Sequence, residues 1–171
     1  MSTPLEPPYA LVDATDPPRL DDARRLFREY AEWIGVDLGF QDFERELATL
    51  PGKYVPPDGR LFLLTRGGAA VGCIALRRFD VRSGEVKRLY VRPPERGRGL
   101  GKALAAAVVE AARAIGYRRL MLDTLEPMVE ARELYRSFGF REVPAYYHSP
   151  LPGAIYMELK LQEGAKGKRE R

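Results

Sequence analysis

Apolar positions along the chain change their spacing several times, and each change marks an element. In "YALVDA", Tyr9 to Ala14, apolar and polar residues alternate, which predicts a strand. The following stretch, "TDPPRLDDARRLFREYAEWIG", carries Leu20, Ala23, Leu26, Phe27, Tyr30 and Ile34 at helical spacing. Asp16 is placed to cap that helix, and the prolines after it suit a first turn. A second short helix is expected over Gln41 to Leu50, and "LPGKYVPPDGR" reads as a loop. Three strand-like runs come next: "RLFLLTR", then "AAVGCIALRRF" beyond a Gly67-Gly68 turn, then "GEVKRLYV" beyond a turn at Ser83-Gly84. Together they read as an antiparallel meander.

Beyond a glycine-rich segment, "GKALAAAVVEAARAIG" has high helix propensity and stops at Gly116. "YRRLMLDT" predicts a strand, "MVEARELYRSFG" a helix closed by Gly139, and "FREVPAYYH" and "AIYMELKL" the last strands. The order is strand, two helices, three strands, helix, strand, helix, two strands, without internal repeats. It predicts an α/β fold of the α+β type, with a mixed sheet and helices on its faces.

Composition narrows the function classes. At 171 residues and 45% hydrophobic content, one domain is expected over 1–162, followed by the charged tail "EGAKGKRER", 163–171. The 28 basic and 24 acidic residues give a net charge of +4, a mixed surface that suits a small anionic ligand better than nucleic acid. The single cysteine, Cys73, excludes an internal disulfide and a cysteine zinc site, and its mid-strand place reads as a small buried residue. One histidine, His148, excludes a His-rich metal site and leaves a Ser-His-Asp triad only if it is the base. No apolar run reaches the length of a membrane span, and "MSTPLEPPYA" has neither a basic start nor an apolar signal core. A cytoplasmic protein without metal is the expectation.

"PPERGRGLGKAL", Pro93 to Leu104, sets Gly97, Gly99 and Gly101 at alternate positions just before a helix. Such loops hold phosphates, because glycine lets the backbone approach closely and the first N–H groups of a helix have no internal partner. A P-loop is excluded by Arg96 at its first glycine position and Ala103 at its Ser/Thr position. A dinucleotide fingerprint is excluded because the third glycine comes one residue early and the strand before it belongs to a meander. What remains is Arg96-x-x-Gly99-x-Gly101, which resembles the acyl-CoA pyrophosphate loop of the GCN5-related N-acetyltransferase (GNAT) superfamily. "VEARELYRSFGF", Val129 to Phe140, after the strand "RRLMLDT", is similar to that family's second helix with its Leu-Tyr and Gly-Phe pairs. The resemblance runs from about residue 60 to 160, as in a small bacterial-type single-domain member.

The resemblance implies a mixed, mostly antiparallel sheet flanked by helices, an acetyltransferase activity, acetyl-CoA as co-substrate and an amine as acceptor. Backbone groups of Leu89, Tyr90 and Val91 are expected to pair with the pantetheine arm. The N–H groups of Arg96, Gly97, Arg98, Gly99, Leu100, Gly101 and Lys102 are expected to hold the pyrophosphate. A primary amine of pKa near 10.4 is neutral in roughly one molecule in a few thousand at pH 7, so a base is needed. Glu85 stands where several family members carry it, and Asp123 is the second choice. Tyr135 falls at the Leu-Tyr position, where a phenol can serve the leaving thiolate as general acid. Many members have Asn where this chain has Met128, which is expected to pack on the cofactor or the core instead.

By the same resemblance the acceptor lies between the first helices and the last strands. Those segments offer Tyr30, Trp33, Phe40, Tyr54, Tyr146, Tyr147 and His148, with Glu29, Glu32 and Asp37 as charges that could attract a cation. Two other readings stand beside transfer: a non-catalytic acyl-CoA binding module, and a nucleic-acid binder using the arginines of Arg77 to Arg98 and the tail. The sheet edges could support a homodimer, which no residue requires.

Overall fold

The computed structural model describes residues 5–161; the charged tail lies outside them. In chain order the elements are β1 (Tyr9–Asp13), α1 (Pro17–Ile34), α2 (Phe43–Thr49), β2 (Arg60–Arg66), β3 (Ala69–Asp80) and β4 (Ser83–Val91). They continue with α3 (Leu100–Ile115), β5 (Arg119–Leu125), α4 (Val129–Ser137), β6 (Arg141–Val143) and β7 (Ala154–Lys160), and short 3-10 turns cover Gly39–Gln41 and Pro93–Glu95. One seven-stranded sheet runs β1-β2-β3-β4-β5-β7-β6. Every neighbouring pair is antiparallel except β4 and β5. The mixed sheet, its meander and the order of helices follow the expected pattern.

The core has two sides. Leu104, Val108 and Ala112 of α3 pack with Leu76, Leu120, Leu122 and Met157 of the sheet on one face. Leu20, Ala23, Leu26 and Phe27 of α1 pack with Leu63, Cys73 and Ala75 on the other. This explains why β3 is apolar without alternation, since Ala70 to Leu76 are buried whichever way they face. Cys73 is fully enclosed, and burial pushes its thiol well above the ordinary range, so it is no nucleophile.

Three boundaries differ from expectation. The turn before β4 lies at Val81 and Arg82, with Asp80 paired to Ser83 and Arg82 N–H donating to Asp80 Oδ1 at 2.8 Å. Ser83 and Gly84 belong to the sheet: the Ser83 hydroxyl accepts from Arg119 Nε at 2.6 Å, and Gly84 makes room for a ring. The helix expected from Gln41 starts at Phe43 after a 3-10 turn. Of "FREVPAYYH" only Arg141–Val143 pairs with β7, because Pro144 ends the ladder and the tyrosines beyond it turn to the site.

A Cβ at Gly84 would stand 2.9 Å from Leu76 Cδ1 and Tyr117 Cδ2. Gly84→Ala is therefore expected to destabilise the fold by about 1–3 kcal/mol, read as a lower urea midpoint at unchanged slope.

Candidate functional site

The site starts where the parallel ladder stops. β4 and β5 pair only over Ser83–Arg119, Gly84–Leu120 and Glu85–Met121. Beyond that, β4 keeps only its partner β3 and β5 only β7, so the strands part and one edge of β4 from Val86 onward has no neighbouring strand. A bulge accentuates the parting. Cys73 faces Tyr90 and Ala75 faces Lys87, leaving Ile74 opposite both Arg88 and Leu89. Arg88 takes the left-handed conformation there, φ 62°, rare for a residue with a side chain. Its guanidinium binds Glu46 of α2 at 2.9 and 3.3 Å and lies over the rings of Phe43 and Tyr30.

Between the parted strands lies a cleft of about 480 Å³, within the usual size for a small-molecule site. One end of it is the glycine loop. Gly97 and Gly99 have φ of 81° and 75°, and α3 begins at Leu100 without a side-chain cap. The N–H groups of Gly97 through Lys102 have no hydrogen-bond partner among the described residues, so this helix start can receive an anion. Arg96 departs from expectation. Its N–H is already used by Pro93 O at 3.2 Å, its Nε donates to Val91 O at 2.8 Å, and its guanidinium lies 4.4 Å above the Trp33 ring. It braces the loop against α1. The side chains of Arg98 and Lys102 face a separate groove along α3 with Leu5 and Tyr9.

The opposite wall is Thr124, Met128, Ala131, Leu134 and Tyr135. The Met128 sulfur accepts a hydrogen bond from the Thr124 hydroxyl at 3.6 Å, and Met128 lines the cleft. Tyr135 is 7% exposed, stacks at 5.5 Å on Phe140, and has no protein hydrogen-bond partner among the described residues. Burial pushes its phenol far above the ordinary range, so it stays protonated at neutral pH.

The inner end is lined by Tyr30, Gln41, Lys87 and Asp123. Lys87 Nζ donates to Asp123 Oδ1 at 3.5 Å, and the Tyr147 hydroxyl donates to Asp123 Oδ2 at 2.6 Å. Glu85 stands at the last paired position of β4, only 2% exposed and outside the cleft lining. Arg77 binds its Oε1 at 2.7 Å and Tyr146 donates to Oε2 at 2.7 Å. Burial beside these carboxylates raises both tyrosine phenols.

Of the expected acceptor aromatics, Tyr30 and Trp33 line the cleft, Tyr54 is core, Tyr146 and Tyr147 serve the carboxylates, and Phe40 and His148 are exposed. Glu29 is held by Arg92 at 2.8 Å and Asp37 closes a turn on Gly39 N. Gln41, Lys87 and Arg88 are cleft residues that no motif in the sequence marks as such. The inward alternation of Lys87 with Glu85 was the one available signal.

The described residues contain no group of His, Cys, Asp and Glu able to hold a metal ion, and no helix among them is long and apolar enough to cross a membrane. The sequence profile of the acetyltransferase (GNAT) family matches residues 20–140. An N-acetyltransferase of Schizosaccharomyces pombe is 41% identical, over 93% of this chain and 99% of that protein. The crystal structure of an acetyltransferase from Streptococcus agalactiae superposes with a TM-score of 0.77 at 21% identity, covering 91% of this chain and 100% of that one. A protein from Salmonella typhimurium solved with acetyl-CoA superposes with a TM-score of 0.69 at 18% identity, covering 92% and 96%. At such identities the structural likeness is one of fold.

Proposed function

Because the chain belongs to the acetyltransferase (GNAT) family, whose activity is N-acetyl transfer with acetyl-CoA as co-substrate, we propose that a single domain, 1–162, moves the acetyl group directly to a primary amine. The observation that carries this reading is the parting of β4 from β5 immediately before a glycine loop whose N–H groups lack partners. The open edge of Leu89, Tyr90 and Val91 would pair with the pantetheine amides. The N–H groups of Gly97, Arg98, Gly99, Leu100, Gly101 and Lys102 would hold the pyrophosphate, while Arg96 fixes the loop from the side. Hydrogen bonds to a charged group contribute roughly 1.5–3 kcal/mol each, enough in sum to anchor a flexible ligand.

Acetyl-CoA supplies an activated thioester carbonyl. In the balanced step the C–N bond forms as the C–S bond breaks. Asp123 receives the proton that the amine gives up, directly or through water, and Tyr135 donates to the departing sulfur and regains its proton from solvent. Direct transfer is supported by the lining, which has no cysteine, serine or histidine, and whose Thr124 hydroxyl is bonded to Met128. Asp123 is preferred as base because it lines the cleft. Glu85 is the second reading, because it stands where the strands part, but it is buried outside the cleft lining.

The test is calorimetric titration with acetyl-CoA, with ATP and NAD as controls, followed by thiol release in the presence of amines. Binding of acetyl-CoA alone at one site per chain is expected; equal binding of all three would reduce the loop to a generic anion site. Asp123→Asn should lower kcat/KM about tenfold, since water can still take the proton. If Glu85→Gln shows the larger loss at unchanged stability, the base is Glu85.

A further inference from the structure

Lys87 is a nearly enclosed cation whose donors are mostly unmatched. Its side chain is 6% exposed, yet among the described residues its ammonium makes a single hydrogen bond, the 3.5 Å contact with Asp123. An ammonium has three donors, and burying one is costly unless they are met. Neighbouring charges do not help, because Arg88 is matched by Glu46 and Glu85 by Arg77 and Tyr146. Asp123 is half engaged, with Tyr147 on one oxygen and the long contact on the other. A further need faces the cleft from the α1–α2 connection: Gln41 Oε1 is buried there with no donor. The inner end thus leaves two donors of Lys87 without an acceptor, with Asp123 its one anionic contact, and leaves Gln41 Oε1 without a donor.

We propose that the acceptor is an α-amino acid with a free carboxylate, its amine held by Asp123 and Gln41 and its carboxylate by Lys87. This rests on the acetyltransferase reading and names the substrate class of the same site. In an α-amino acid the nitrogen and the carboxylate carbon lie about 2.5 Å apart, set by ordinary bond lengths. That span suits opposite charges only 3.5 Å apart. A protein lysine carries its amine far from any carboxylate, and a peptide N-terminus offers a neutral amide in its place, which can accept from Lys87 but brings no negative charge to it. The step balances as before: the amine proton goes to Asp123 or water, and the products are an N-acetyl amino acid and coenzyme A.

The experiment measures thiol release at saturating acetyl-CoA with each standard L-amino acid, and for each acid turned over with its α-amide and its decarboxylated amine. The acid should exceed both analogues by roughly ten- to a hundredfold in kcat/KM, the scale of one hydrogen-bonded charge pair. Lys87→Gln should remove most of that preference through KM. The wild-type comparison of acid and amide stands without the variant. Equal use of the amides and amines, or turnover of only a polyamine or a lysine peptide, would overturn the proposal and leave acetyl transfer intact. So would acetyl-CoA binding with no amino acid turned over. Failure to bind acetyl-CoA in the calorimeter would instead overturn the acetyltransferase reading.

Discussion

Gly99→Val is expected to weaken acetyl-CoA binding by roughly two to four orders of magnitude while leaving the protein folded. Gly99 holds φ at 75°, and a Cβ there would meet no protein atom within 4 Å. The damage therefore comes from conformation, not from a clash with the core. A β-branched residue in the left-handed region costs on the order of 1–3 kcal/mol, which the loop relieves by turning its peptides. Each turned N–H withdraws a bond of roughly 1.5–3 kcal/mol to the pyrophosphate, and two such losses give the stated range. Gly101 is the control: it is helical, and a Cβ there would touch Leu134 Cδ2 at an ordinary 3.5 Å, so Gly101→Ala should do far less. Calorimetry with acetyl-CoA, beside circular dichroism of each variant, decides the matter. Wild-type affinity in Gly99→Val would remove the loop from the binding site.

Tyr135→Phe is expected to lower kcat roughly a hundredfold with acetyl-CoA affinity nearly unchanged. The ring stays packed on Phe140, so only the hydroxyl is lost. Burial holds the phenol above its usual range, which sets both its role and its pH behaviour. A thiol of pKa about 8.5 is the stronger acid, so Tyr135 first stabilises the departing sulfur by a hydrogen bond and completes proton transfer only as solvent restores it. Because the folded value is raised, the protonated form persists as pH rises past the ordinary phenol value of about 10. The wild-type kcat should therefore show no alkaline loss from this residue below that pH, and the variant should be slower by the same factor throughout. A variant with wild-type kcat would exclude the role.

The glycine loop at one end of the cleft was legible because it is local. The Arg96 to Gly101 spacing and the alanine-rich helix after it lie within one continuous segment, and the strand before them has its own period. The bulge was not legible, because "KRLYV" holds no Gly or Asn to announce a left-handed residue. Arg88 adopts that conformation while its guanidinium is held by Glu46, 42 residues away in sequence. The inner end of the cleft was hidden for the same reason. Gln41, Lys87, Asp123 and Tyr147 come from distant segments, and only the sheet order brings them together. Ser83-Gly84 misled in the other direction: small residues that suggest a turn serve instead to admit Tyr117 beside the sheet.

The N–H groups of the loop and the open edge of β4 are main chain, whereas Lys87, Asp123 and Gln41 act through side chains. On the proposed reading, substitution can therefore rewrite the inner end residue by residue, while outside the glycines it scarcely touches the grip on coenzyme A. Descendants of such a chain can change acceptor in single steps without passing through a form that has lost its donor. The two halves are free to diverge at different rates, with the loop conservative and the inner end inventive.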